Sequence, residues 1–236
     1  MNFGSLGIAN ILKEALIEPA KDFKEIQVVA VASRKFSKAK EFAKSHEIKK
    51  YYGDYESLIN DEDVEAVYIP LPNSLHYKWT KKALQKGKHV LCEKPLCSNG
   101  FQAFNLFELA KEKNLILLDA YHHCFHPMYK RAKEIIDGGL IGDIEELNGR
   151  FTVNIARPDI RFDFKLSGGA FMDPGCYLVH ALVHFFGVTP KIISTEVKTD
   201  ETDNRIDIES SANLVIEDKI NVHIHSSIET KEEMQI

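Results

Sequence analysis

The chain has 236 residues, a formal charge of −5, 44% apolar and 28% charged residues, an ordinary globular makeup with room for one large or two smaller domains. Its lysines are scattered among acids and give no footprint for nucleic acid, and no apolar run reaches the roughly 18 residues of a membrane span. The opening MNFGSLGIAN lacks the basic flank and apolar length of a signal peptide, so the expected location is the cytoplasm.

In chain order, Asn2 to Leu6 reads as a short strand, Gly7 as a turn, and Ala9 to Glu18 as a helix that stops before Pro19. Ile26 to Ser33 is a β-branched run without polar alternation, as in a parallel strand covered on both faces, and Ser37 is placed to cap the helical stretch SKAKEFAKSH. AVYI (66–69), HVLC (89–92) and LILL (115–118) are further buried strands, separated by helical segments at 76–86 and 101–113. Strands alternating with helices imply crossover units and a doubly wound parallel sheet, an α/β fold.

The texture changes near residue 120. A helix over 127–137 ends at Gly138-Gly139, and the later strands alternate polar and apolar residues: ELNGRFTV, ISTEVKT, SSANLVIE and INVHIHSS. Alternation predicts an open, mostly antiparallel sheet with one exposed face. Leu178, Leu182, Phe185 and Phe186 in GGAFMDPGCYLVHALVHFFG suit a helix packed on it. The expected domains are 1–120 and an α+β domain over 121–236, whose last strand runs into ETKEEMQI without a closing helix, so the second sheet reads as incomplete.

Several stretches carry chemistry. In GSLGIANIL, Gly7, Ala9 and Leu12 occupy the positions of a degenerate glycine-rich turn, whose backbone over Ala9, Asn10 and Ile11 would hold a pyrophosphate at a helix N-terminus. The next strand ends in Ser33-Arg34-Lys35. A hydroxyl and a guanidinium there suit a 2′-phosphate, favouring NADP(H) with NAD(H) as the alternative. The loop PLPNSLH stands at the carboxyl end of the following strand, where such sheets bind ligands, with Pro70, Leu71, Asn73 and His76 facing the cofactor and Asn73 or Ser74 also able to cap a helix. Glu93-Lys94-Pro95 holds the corresponding place after HVLC. An ammonium there can polarise a carbonyl or stabilise a phenolate, and a cis Lys94–Pro95 bond would fix its direction.

In MDPGCYLVH, Asp173, Tyr177 and His180 lie four and three residues apart, sharing one face of a helix. YHHCFHP (121–127) invites a metal reading. Adjacent His122 and His123 cannot both face one site from a regular element, and no carboxylate stands at ligand spacing, so the stretch is read as packing and no metal is assigned. The cysteines, Cys92, Cys97, Cys124 and Cys176, lack CxxC spacing and read as reduced thiols.

Taken in order, GSLGIANI, VAVASR, PLPNSLH, the EKP tripeptide and GGAFMDPGCY resemble the Gfo/Idh/MocA oxidoreductase family, in the branch of glucose-fructose oxidoreductase, dimeric dihydrodiol dehydrogenase and NADP-dependent sugar 3-ketoreductases. The resemblance implies a Rossmann domain followed by an α+β domain whose open sheet forms homodimer contacts. It implies a carbohydrate-like or diol substrate, Lys94 near the nicotinamide and the substrate oxygen, Tyr177 as proton donor with Asp173 as companion acid, and His180 and Arg161 on the substrate side. Glu93 is expected beside the cofactor as a loop-fixing hydrogen-bond partner. Three departures stand out: Ala9 replaces a glycine, Cys124 stands where an arginine is expected, and relatives continue beyond residue 236. A nucleotide-sensing or scaffold protein of the same fold, without turnover, is the alternative function.

Overall fold

The computed structural model describes residues 1–230, and the chain divides into two compact units, Met1–Ala120 and Tyr121–Ile236. The first carries β1 (Asn2–Leu6), α1 (Glu18–Ala20, entered from a π-turn at Lys13–Ile17), β2 (Gln27–Ala32), α2 (Phe36–Ser45), β3 (Lys50–Tyr52), α3 (Tyr55–Ile59), β4 (Ala66–Ile69), α4 (Asn73–Gln85), β5 (His89–Cys92), α5 (Gly100–Glu112) and β6 (Leu117–Asp119). Its sheet is wholly parallel, in the order β3-β2-β1-β4-β5-β6. The strand order reverses between β1 and β4, the crevice where open α/β sheets take their ligands.

Local chemistry accounts for these elements. All four residues of β4 are buried, as a strand covered on both faces requires. In α4 the buried side chains are His76, Thr80, Ala83 and Leu84, one helical stripe. Asn99 caps α5 by accepting from the Gln102 N–H at 3.0 Å, and Asp54 caps α3 through the Ser57 N–H at 2.7 Å.

Three local expectations need correction. The first helix does not stop before Pro19 but runs through it to Ala20; the wide turn over Lys13–Ile17, with the Glu18 N–H reaching the Lys13 carbonyl, accommodates a residue that has no N–H to give. Ser37 is inside α2, and the N-cap is Lys35, without a side-chain cap bond. Likewise Pro72, not Asn73 or Ser74, is the N-cap of α4, whose first residue is Asn73.

The second unit holds α6 (Pro127–Asp137), β7 (Glu146–Thr152), α7 (Cys176–Phe186, entered from a π-turn at Phe171–Gly175), β8 (Lys191–Thr199), β9 (Asp207–Ile216) and β10 (Ile220–Ser227). Its four-stranded sheet runs β7-β10-β9-β8, antiparallel except for the β10–β7 pair. Alternate residues of β9 (Ile208, Ser210, Ala212, Leu214, Ile216) are buried. Leu178, Val179, Leu182 and Phe186 of α7 pack on that face, while Phe185 turns away to stack on Tyr129 of α6 at 5.1 Å. Beside α7 a groove of about 380 Å³, lined by Phe171, Leu178, Val197 and Ala212 among others, opens over β8, whose every residue is exposed. The stretch after Thr230, where no closing helix was expected, lies outside the described residues.

The turn between β8 and β9 is built on Asp200, whose side chain is 5% exposed. One oxygen accepts from the Thr202 N–H and hydroxyl and from the Asp203 N–H, and the other from Arg157. The Thr202 hydroxyl and then the Arg157 guanidinium hold this carboxyl well below the usual carboxylate range. A depressed folded-state pKa contributes stability above the unfolded carboxyl's value of about 3.9, lost as pH falls below it. Asp200→Asn is therefore expected to cost about 1–2 kcal/mol at neutral pH, less than a fully buried charged hydrogen bond because Arg157 is partly solvated. Urea midpoints measured from pH 7 to pH 2.5 should draw closer together for the two proteins below about pH 3.9 without meeting, since the contribution is fully lost only below the folded-state pKa.

Candidate active site

The carboxyl ends of β1, β2, β4 and β5 each carry one of the stretches singled out in the sequence. After β1, Gly7 has φ +107, open to glycine but strained for other residues, and a Cβ there would stand 3.0 Å from Leu71 Cδ2. Ala9 is half-buried and Asn10 and Ile11 are exposed at the start of the following helix, so backbone can approach a ligand there. Leu12, at the third glycine position, is fully buried with Val31 and Tyr68, so a leucine side chain fills the space that a glycine there would leave. After β2, Ser33 is half-buried and Arg34 exposed. The guanidinium lies beside Tyr55, whose phenol burial pushes up and Arg34 pulls back.

Two clamps hold the Glu93-Lys94-Pro95 loop after β5. Tyr68, a β4 residue only 1% exposed, donates its hydroxyl to Glu93 Oε1 at 2.6 Å, and Glu93 Oε2 takes the Lys94 N–H at 3.3 Å. On the other side His76 has Nδ1 2.8 Å from the Pro95 carbonyl and Nε2 2.6 Å from the Leu71 carbonyl. His76, expected to face the cofactor, is completely buried and lies between the Pro70–Asn73 loop and the lysine loop. Burial pulls its imidazole pKa down, against the opposing pull of the two carbonyls. Pro70 is also buried, whereas Leu71 and Asn73 are half-exposed. The Lys94–Pro95 bond is cis.

In the second unit, Tyr177 and His180 share a face of α7. Both meet Tyr121, with ring centroids at 5.5 Å edge-on and 3.9 Å stacked, and both meet His123 at 5.2 Å. Phe151 of β7 packs against Tyr177 at 5.5 Å. Asp173 lies in the π-turn rather than the α-helix; its Oδ2 accepts from Arg161 Nε at 2.6 Å, and Arg161 also donates to Asp159. Arg161 and Asp173 are thus paired with one another, and the arginine is not a free group waiting for a polyol or carboxylate. The glycine pair explains how: a Cβ on Gly168 would collide with the Arg161 backbone, and one on Gly169 with the Asp207 side chain.

Sequence reasoning missed Tyr68, Tyr121 and His123 as parts of these arrangements. For Tyr121 and His123 the only signal was the clustering of aromatic and imidazole rings in YHHCFHP; nothing marked Tyr68. Cys92 and Cys97 are buried, which pushes the Cys97 thiol up to about 12, and none of the four cysteines is in a disulfide.

Comparison with known proteins matches these features. Residues 1–121 fit the family described as oxidoreductase family, NAD-binding Rossmann fold, and residues 129–236 fit the GFO/IDH/MocA C-terminal domain. The chain is 36% identical over 234 residues, 98% of its length, to D-xylose 1-dehydrogenase (NADP(+)) 2 of Haloferax volcanii, covering 71% of that protein. It is 36% identical to trans-1,2-dihydrobenzene-1,2-diol dehydrogenase of Xenopus tropicalis over 75% of the chain and 54% of that enzyme. The crystal structure of KijD10, a 3-ketoreductase from Actinomadura kijaniata in complex with NADP and TDP-benzene, superposes with a TM-score of 0.92 at 30% identity, over 98% of this chain and 70% of that one. The chain thus spans between about half and seven-tenths of these proteins. With both its units matched, it belongs to the GFO/IDH/MocA oxidoreductase family.

Proposed function

We propose that the protein is an NADP(H)-dependent oxidoreductase acting on a hydroxyl or carbonyl of a sugar, polyol or dihydrodiol. The observation that carries this reading is the array at the strand ends: Gly7 at φ +107 where a Cβ would press on Leu71, Arg34 exposed after β2, and Lys94 held between the Tyr68–Glu93 and His76–Pro95 clamps. These residues fit a dinucleotide. The nicotinamide, when bound, supplies or accepts the hydride. Arg34 and the Ser33 hydroxyl bind a 2′-phosphate, a bidentate task for which a guanidinium is suited. Lys94 stabilises negative charge developing on the substrate oxygen, and Tyr177 gives that oxygen its proton in the reducing direction. The relatives named for xylose, dihydrodiols and a keto-sugar support the substrate class.

The cofactor reading is tested by Arg34→Ala. Loss of one charge-assisted contact, about 1.5–3 kcal/mol, should raise the NADPH dissociation constant about 10- to 100-fold by fluorescence titration while leaving NADH binding within about 3-fold. Equal weakening of both cofactors, or of neither, would remove the argument for a 2′-phosphate site.

A further inference from the structure

One group of side chains has no assigned part in holding a dinucleotide: His123 and Cys124, from the single 3-10 turn His122–Phe125, and His180 of α7. One ligand atom from each lies within 4.8 Å of the others, and this is the one such trio of metal-ligating groups among the described residues. Cys124 Sγ stands 3.5 Å from His180 Nδ1. A tetrahedral zinc with a sulfur ligand at about 2.3 Å and a nitrogen ligand at about 2.05 Å would set those two atoms about 3.6 Å apart. A second observation is independent of that spacing: both ring nitrogens of His123 are shielded from solvent and have no hydrogen-bond partner. A shielded imidazole nitrogen without a partner is costly, and a cation would satisfy it. Only one of the two adjacent histidines is needed, because α7 brings in the third ligand from 56 residues away.

We propose that His123, Cys124 and His180 form a binding site for a borderline-soft divalent transition metal of the zinc class, with a fourth position filled by water. Two imidazoles and a thiolate select such an ion over magnesium or calcium, which take oxygen ligands. Binding forms the metal–sulfur bond, sends the Cys124 thiol proton to solvent and changes no oxidation state. All three residues are half-buried rather than enclosed in the core. Chelation would tie the 122–125 turn to α7 beside Tyr177, and it stands or falls apart from the hydride-transfer reading.

The test titrates metal-free protein with Co²⁺, followed by absorption. One equivalent should saturate a thiolate-to-cobalt charge-transfer band in the near ultraviolet together with visible bands of tetrahedral intensity, and Zn²⁺ should erase both. Cys124→Ser should abolish the charge-transfer band, and His123→Gln, which keeps the thiol, should weaken Co²⁺ binding by more than the ~10- to 100-fold caused by loss of an outer partner. Cys176→Ser should leave the spectrum unchanged. Absence of a band in the wild-type protein, its survival in Cys124→Ser, or its loss in Cys176→Ser would each overturn the site. Circular dichroism of every variant establishes that it is folded, and should Cys124→Ser not fold, the wild-type titration and His123→Gln decide. No turnover is measured, so failure here leaves the oxidoreductase reading untouched.

Discussion

Tyr177→Phe is expected to lower kcat for NADPH-dependent carbonyl reduction by about 10²- to 10⁴-fold, the range that a positioned proton donor contributes. The substitution removes only the hydroxyl. The ring keeps its contacts with Tyr121, His123 and Phe151, and a melting curve checks that the variant is folded. Cofactor affinity should hold within about 3-fold, because the residues assigned to the dinucleotide all lie between Gly7 and Lys94; a factor of 3 is only about 0.6 kcal/mol. The measurement is single-turnover NADPH oxidation on a substrate accepted by the parent enzyme. If the rate survives while Lys94 variants lose it, the lysine is the proton donor and the phenol a packing group.

The fold was legible wherever a segment was long enough for its period to decide. AVYI could be read as a strand buried on both faces, HVLC as a strand although only Val90 and Cys92 are fully buried, and the alternation in SSANLVIE and INVHIHSS gave the second sheet its single core face. Lys50–Tyr52 and Tyr55–Ile59 were missed because three and five residues are too few for either period to declare itself. Pro19 was read as a stop because a proline ring clashes with a regular helical turn; a wider turn is invisible in composition.

The placement of the candidate site residues at strand ends was legible for a different reason. In a parallel sheet the carboxyl end of each strand is a ligand-facing position, so locating the strands located Gly7, Arg34, the Pro70 loop and Lys94 together. What fixes those loops was not legible. Tyr68 reaches Glu93 across 25 residues, and His76 reaches Pro95 across 19; both depend on β4 and β5 being neighbours, which is a property of sheet order and not of either segment. The Arg161–Asp173 pair and the meeting of Cys124 with His180 are of the same kind.

Those clamps bear on the second large effect. Lys94→Met keeps the length of the side chain and removes its charge, and is expected to cost about 10²- to 10³-fold in kcat, the scale of losing one preorganised stabiliser of a developing oxyanion. The Tyr68–Glu93 and His76–Pro95 hydrogen bonds use no atom of the lysine side chain, and NADPH titration of the variant checks that the loop still binds the cofactor. Lys94→Arg should not restore full activity, since a planar fork places its charge differently from a compact ammonium. The double variant with Tyr177→Phe decides whether the two groups serve one oxygen. If they do, removing the second after the first costs far less than its single-variant effect, because residues that act as a unit are non-additive. Additive losses would mean that Lys94 and Tyr177 act in separate steps, and the assignment of both to one proton-transfer event would have to be abandoned.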